Sequence, residues 1–255
     1  VDVLYQEAKI LRRDEPLAAK MERLVKLPLW HQPGEGWTYS VATDVLGHVI
    51  EVIAGMPLDT YLKQRIFEPL GMTDTDFYVP QEKRERLAAL YMLDKKGHLT
   101  VMQAMDPDDP TDREWVEMTQ RPKFLSGGGG LASTASDYLR FGEMLRSQGE
   151  WNGQRLLGRK TVELMTMNHL PAGMLHPFED PAMGFGLGVG VLMDVARSKA
   201  LGSPGTFGWG GAASTDFWVD PAEDLVGLLL LQFMPSGYYP IKSDFKVLAH
   251  QALVD

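Results

Sequence analysis

A chain of 255 residues, 44% of them hydrophobic, is long enough for one large domain or two lobes around a sizeable core. A formal net charge of -9 and a pI near 5.2 leave no basic footprint, and no Lys/Arg cluster is interleaved with aromatics. Neither nucleic acid nor an anionic membrane surface is therefore expected as a partner. The absence of cysteine excludes disulfides, thiolate metal sites and a cysteine nucleophile, and leaves the compartment open.

Residues 1–26 have helical periodicity, with Leu4, Ala8 and Leu11, then Leu17, Met21 and Leu24, at spacings of three and four. The break near Asp14 and Pro16 predicts two helices. Asp2, Glu7, Arg12 and Arg13 interrupt any apolar run, so this stretch does not read as a signal peptide. Pro33, Gly34 and Gly36 then mark a turn, and Val45, Leu46, Val49, Ile50, Ile53 and Ala54 predict a helix over 42–54 that ends at Gly55. Tyr39 falls on the lip of that helix. By local pattern its ring covers the core while its hydroxyl caps the turn. As a general base it needs a cationic neighbour to bring its pKa down from about 10.

A second helix is predicted over 58–67, stopping before Glu68 and Pro69. From 72 to 125 periodicity fades and Pro, Asp and Gly accumulate, with a small hairpin over 87–102 turning at Asp94-Lys95-Lys96-Gly97. So long an irregular excursion reads as the wall or lid of a binding site. Asp106, Asp108, Asp109, Asp112, Glu114 and Glu117 suggest a calcium loop, but Pro110 and Thr111 occupy the sharp turn that glycine must make, so a solvated loop is expected. Ser126 with Gly127 to Gly130 lacks the Gly-Lys-Ser/Thr of a phosphate cradle and reads as a close backbone approach leading into a helix from about 135 to 148. Thr134 and Asp137 are placed as its acidic capping pair.

A helix over 159–167 precedes a change to strands at 185–193, 206–219 and 225–233, most simply an antiparallel meander with a hairpin joint at 219–224. The apolar run 225–231 is too short to span a bilayer. A terminal helix over 241–253 is expected to cover one face of the sheet. The six histidines have no ligand spacing, so no metal and no other cofactor is expected.

Three blocks stand in order: Pro33-Gly34 with Trp37-Thr38-Tyr39-Ser40, then Ser126-Gly127-Gly128-Gly129-Gly130-Leu131 with Ser133-Thr134, then Phe207-Gly208-Trp209-Gly210-Gly211. Together they resemble the serine β-lactamase-like, penicillin-binding-protein-like superfamily, and most of all its family VIII carboxylesterases, over nearly the whole chain. The resemblance implies an α+β, β-lactamase-like fold: a mostly helical lobe with irregular active-site loops, placed at 1–180, and antiparallel strands with a terminal helix, placed at 181–255. The sheet is expected to be incomplete in this chain.

The resemblance also implies a serine nucleophile in a Ser-x-x-Lys pair opening a buried helix, with Tyr39 sharing the proton transfer. It puts Trp209-Gly210-Gly211 where β-lactamases carry Lys-Thr-Gly, and Ala212 where a backbone N–H completes the oxyanion hole. The side-chain-free Gly210 and Gly211 let the strand lie against an acyl group; read locally, they form a bulge. Gly127 and Gly128 line the substrate. Trp209 replaces a carboxylate-holding lysine and Val41 replaces the asparagine of Tyr-x-Asn, which suits a small apolar ester better than a lactam.

In the family the Ser-x-x-Lys pair lies roughly a hundred residues ahead of the tyrosine block, whereas 38 residues precede Tyr39 here. The match at Ser243 to Lys246 lies on the wrong side of all three blocks. With 10 serines and 12 lysines, roughly half a match arises by chance. The expectation is a chain that is part of a serine carboxylesterase but inactive alone, its nucleophile on an N-terminal segment of the parent. The alternatives are a non-catalytic binding module, or a β-lactamase or DD-peptidase.

Overall fold

The helix predicted at 42–54 is present as Ala42–Ala54 in the computed structural model, which describes residues 2–10, 12–104, 116–174, 178 and 180–254. Gly55 ends it in the left-handed region at φ 65° and donates its N–H to the Glu51 carbonyl at 2.9 Å, the geometry for which glycine carries no Cβ penalty. The two N-terminal helices are Asp2–Glu7 and Leu17–Leu24. The helix expected to stop before Pro69 continues past it: Leu58–Leu62 leads into a π turn, Lys63–Phe67, and then into Glu68–Leu70. A proline lacks the N–H of a regular turn, and the widened π register changes the pairing ahead of it, so the helix survives. Asp106, Asp108, Asp109, Asp112 and Glu114 of the acidic loop lie outside the described residues.

By their contacts the residues form two units, Val1–Glu68 with Thr73–Ala89 and Val101–Thr134, and Pro69–Met72 with Leu90–Thr100 and Ala135–Asp255. This division differs from the boundary expected at 180. The reason is packing: helix Ala135–Arg146 has helical periodicity but buries its apolar face on the sheet. Its Tyr138 ring stands 5.3 Å from that of Phe217, edge to face.

The first unit is built around Leu58, Phe77 and Leu125, with Ile50 and Leu62 packed on them. Leu17 and Met21 add the buried face of the second helix. The predicted small hairpin is present as β1 (Tyr91–Leu93) and β2 (Leu99–Val101). A second hairpin, β3 (Glu150–Trp151) and β4 (Gln154–Arg155), was not expected. It turns on Asn152 and Gly153, both at positive φ (48° and 77°), the Asn-Gly signal of a two-residue turn.

The three strands expected in the last third are five, β5 (Met183–Phe185), β6 (Gly190–Leu192), β7 (Phe207–Gly210), β8 (Asp216–Asp220) and β9 (Leu225–Leu229), paired antiparallel in sequence order. Two of the three predicted segments fold back on themselves, one between Phe185 and Gly190 and one between Gly210 and Asp216. The hairpin joint at 219–224 is present. Asp220, fully buried, accepts there from the N–H groups of Ala222 and Glu223.

Side chains alternate across the sheet. Phe207, Phe217 and Val219 face helix Ala135–Arg146, and Gly208 and Trp218 lie beneath the terminal helix Ile241–Gln251, where the Trp218 ring stacks on His250 at 4.9 Å. Gly208 cannot carry a side chain: a Cβ would lie 2.0 Å from the Phe217 carbonyl oxygen and 2.7 Å from the Trp218 Cα, both backbone atoms. Gly208→Ala is accordingly expected to destabilise the chain by about 3 kcal/mol, the upper range for overpacking. The check is a lowered urea midpoint with unchanged slope.

Candidate active site

Tyr39 stands three residues ahead of helix Ala42–Ala54, in a turn-rich coil. The coil is held locally: the His31 ring Nε2 and the Thr38 hydroxyl are hydrogen-bonded at 2.9 Å, and the Ala42 N–H donates to Ser40 Oγ at 3.2 Å. The Tyr39 ring is 61% exposed and lies 6.3 Å from that of Trp37. It therefore covers little of the core, contrary to the local reading of its ring. Val41 is the residue preceding the helix, and its carbonyl accepts from the N–H groups of Asp44 and Val45, both at 3.0 Å.

The glycine loop meets the start of the same helix. A Cβ at Gly127 would sit 2.4 Å from the Thr43 carbonyl oxygen, and one at Gly128 would be 3.0 Å from Thr43 Oγ1. The close backbone approach expected from the glycine run is thus present. One side chain, which no local sequence pattern singles out, holds it. Asp44 is buried in the helix's first turn, and its Oδ1 accepts from the Ser126 hydroxyl at 2.7 Å and from the Gly128 N–H at 3.2 Å. Beside it Lys20 is 1% exposed, with its ammonium 3.7 Å from the centre of the Phe124 ring and without a hydrogen-bond acceptor among the described residues. Burial pulls the Lys20 pKa down to about 8, against the attraction of Asp14 and Asp44.

In the second unit Trp209 lies on β7 between two rings, stacked on Phe178 at 5.9 Å and edge-on to Phe185 at 5.2 Å. Gly210 is close to both the Lys242 ammonium and the Asp216 carboxylate. Gly211 follows the strand, donating its N–H to the Thr215 carbonyl at 2.8 Å and accepting from Lys242 Nζ at 3.3 Å. Ala212 is exposed on the turn. Its carbonyl accepts from the Ser236 N–H at 3.0 Å, while its own N–H has no main-chain acceptor among the described residues.

A cavity of about 180 Å³ lies against β6, β7 and β8, with Gly208, Gly210, Asp216, Trp218 and Lys246 in its lining. Burial pushes the Asp216 carboxyl up and the Lys246 ammonium down, each opposed by the other's charge. The Ser243 hydroxyl of the discounted Ser-x-x-Lys match donates to the Pro240 carbonyl at 2.7 Å, a local bond at the start of the terminal helix. Tyr39, Val41, Gly127 and Gly128 belong to the first unit, and Trp209, Gly210, Gly211 and Ala212 to the second.

A family model described as Beta-lactamase matches residues 4–251. Protein Rv1367c of Mycobacterium tuberculosis (strain ATCC 25618 / H37Rv) is 40% identical over 220 residues, covering 83% of this chain and 52% of that protein. Esterase EstB of Burkholderia gladioli is 30% identical over 224 residues, covering 86% of this chain and 55% of EstB. Among solved structures, EstCE1, described as a hydrolase with promiscuous acyltransferase activity, superposes with a TM-score of 0.78 at 26% identity, covering 95% of this chain and 65% of that one. The chain spans about half the length of the curated relatives it matches. Helices on an antiparallel sheet, the three ordered motif blocks and a family model running over nearly every residue agree, and the chain belongs to the beta-lactamase family of hydrolases.

Proposed function

We propose that this chain is part of a serine carboxylesterase that hydrolyses small apolar esters through an acyl-enzyme, with the nucleophile on a Ser-x-x-Lys segment outside it. The observation that carries the ester reading is Trp209. At the strand edge where a lactam-binding relative presents an ammonium, this chain presents an indole between two phenyl rings. Such a wall favours an apolar acyl group.

In this mechanism the distal serine attacks the ester carbonyl while its lysine and Tyr39 take the proton. The Ala212 N–H and the serine's own N–H hold the oxyanion of the tetrahedral intermediate. The alcohol leaves with the proton, and water then releases the acid by the same route. Support for an external helix comes from Ala42–Ala54, which exposes Leu46 (56%), Val49 (43%), Val52 (68%) and Ile53 (82%). These follow at spacings of three or four around one side of the helix, apart from the adjacent pair at its end. A helix bearing serine and lysine can bury that face.

The test is intact mass after incubation of the full-length protein with a fluorophosphonate, together with turnover of nitrophenyl esters and of a cephalosporin. One adduct and ester turnover without cephalosporin turnover are expected. Ester binding with neither adduct nor turnover would make the fold a binding scaffold, and cephalosporin turnover with none of simple esters would restore the lactam reading.

A further inference from the structure

Residues 126–130 carry no side chain larger than a hydroxymethyl, so the loop has little apolar surface with which to fix itself. Two of its backbone positions nonetheless approach Thr43 too closely to accept a Cβ freely, which demands a specific anchor. Asp44 is that anchor: one carboxylate oxygen, in the first turn of a 13-residue helix, takes both the Ser126 hydroxyl and the Gly128 N–H across more than eighty residues of chain. One oxygen has lone pairs for both bonds, and the first turn of the helix fixes where it stands. The Lys20 ammonium, buried against the Phe124 ring just ahead of the loop, adds a positive charge that attracts the Asp44 carboxylate.

We infer that Asp44 is a positioning residue for acyl-group selection: by tying Ser126 and Gly128 to the helix that Tyr39 leads into, it sets the glycine loop as a wall of the substrate site. The inference rests on the esterase reading above. Asp44 touches no reacting atom and exchanges no proton in it. Loss of the tie frees the loop to move outward, which changes the room for a long acyl chain more than for an acetyl group.

The experiment compares kcat/KM for nitrophenyl octanoate and nitrophenyl acetate in the full-length protein and in its Asp44→Ala, Asp44→Asn and Ser126→Ala variants. The octanoate-to-acetate ratio is expected to move by at least about fivefold in Asp44→Ala, the size of one lost ordinary hydrogen bond. It moves in the same direction in Ser126→Ala and stays within about twofold of wild type in Asp44→Asn, whose amide oxygen can still accept both bonds. Fluorophosphonate labelling remains stoichiometric throughout. Should Asp44→Ala not fold, Ser126→Ala decides alone. Wild-type turnover with an unmoved ratio in a folded Ser126→Ala overturns the inference and leaves the esterase reading standing. A wild-type protein without adduct or ester turnover removes the esterase reading itself.

Discussion

Replacing Tyr39 with phenylalanine in the full-length protein is expected to lower kcat/KM toward a short-chain nitrophenyl ester by about a hundredfold or more, the range for removing a general base. The substitution is clean because of where the ring sits. At 61% exposure, beside Trp37, it covers little core, and phenylalanine keeps the ring-to-ring contact while deleting the hydroxyl alone. Surface substitutions of this kind move stability by no more than about 0.5 kcal/mol, so a loss of turnover at an unchanged melting temperature reports on proton transfer. The loss is expected in kcat rather than KM, since the hydroxyl contributes in the transition state and not to ground-state binding. Wild-type turnover in Tyr39→Phe would take this residue out of the mechanism.

The second large effect is expected from Lys20→Met, and it runs the other way. An ammonium with 1% exposure, seated on an aromatic ring without a hydrogen-bond acceptor among the described residues, has lost its hydration for an incomplete substitute. The fall of its pKa from 10.5 to about 8 corresponds to about 3 kcal/mol against folding at neutral pH, where both folded and unfolded chains carry the proton. Methionine fills a similar volume without charge, so Lys20→Met is expected to be more stable by up to that amount at pH 7.

The pH dependence has a definite sign. Between about 8 and 10.5 the unfolded chain binds the Lys20 proton more than the folded one does, so the wild type gains stability from this group as pH rises. The advantage of Lys20→Met therefore shrinks across the same window. Denaturant midpoints of both proteins at pH 7 and pH 10 test this. Burial also lowers Lys242 and Lys246, and because both proteins retain them, only the difference is assigned to Lys20. A variant less stable than wild type at pH 7 would show that the cation–π contact with Phe124 outweighs desolvation.

Lys20 and Asp44 are both buried. Neither residue stood out in the sequence. Lys20 sits within a helix where lysine is ordinarily a solvated side chain, and Asp44 within a first turn where an acidic residue ordinarily answers the helix dipole. What distinguishes them is burial and a partner distant in the chain, and no local pattern carries either.

The sequence by itself determined what depends on neighbours a few residues apart: the helix Ala42–Ala54 with its glycine stop, the terminal helix, the joint at Asp220 and the three ordered motif blocks. The Asn152-Gly153 turn is legible in the same way. Tertiary structure alone decided that helix Ala135–Arg146 belongs with the sheet, that the last third folds as five strands, and that one carboxylate joins Tyr39's helix to the glycine loop. The physical reason is range. Periodicity and turn chemistry are set by steric rules acting within a few residues, whereas burial of a charge and the choice between two apolar surfaces depend on which distant segments the folded chain brings together.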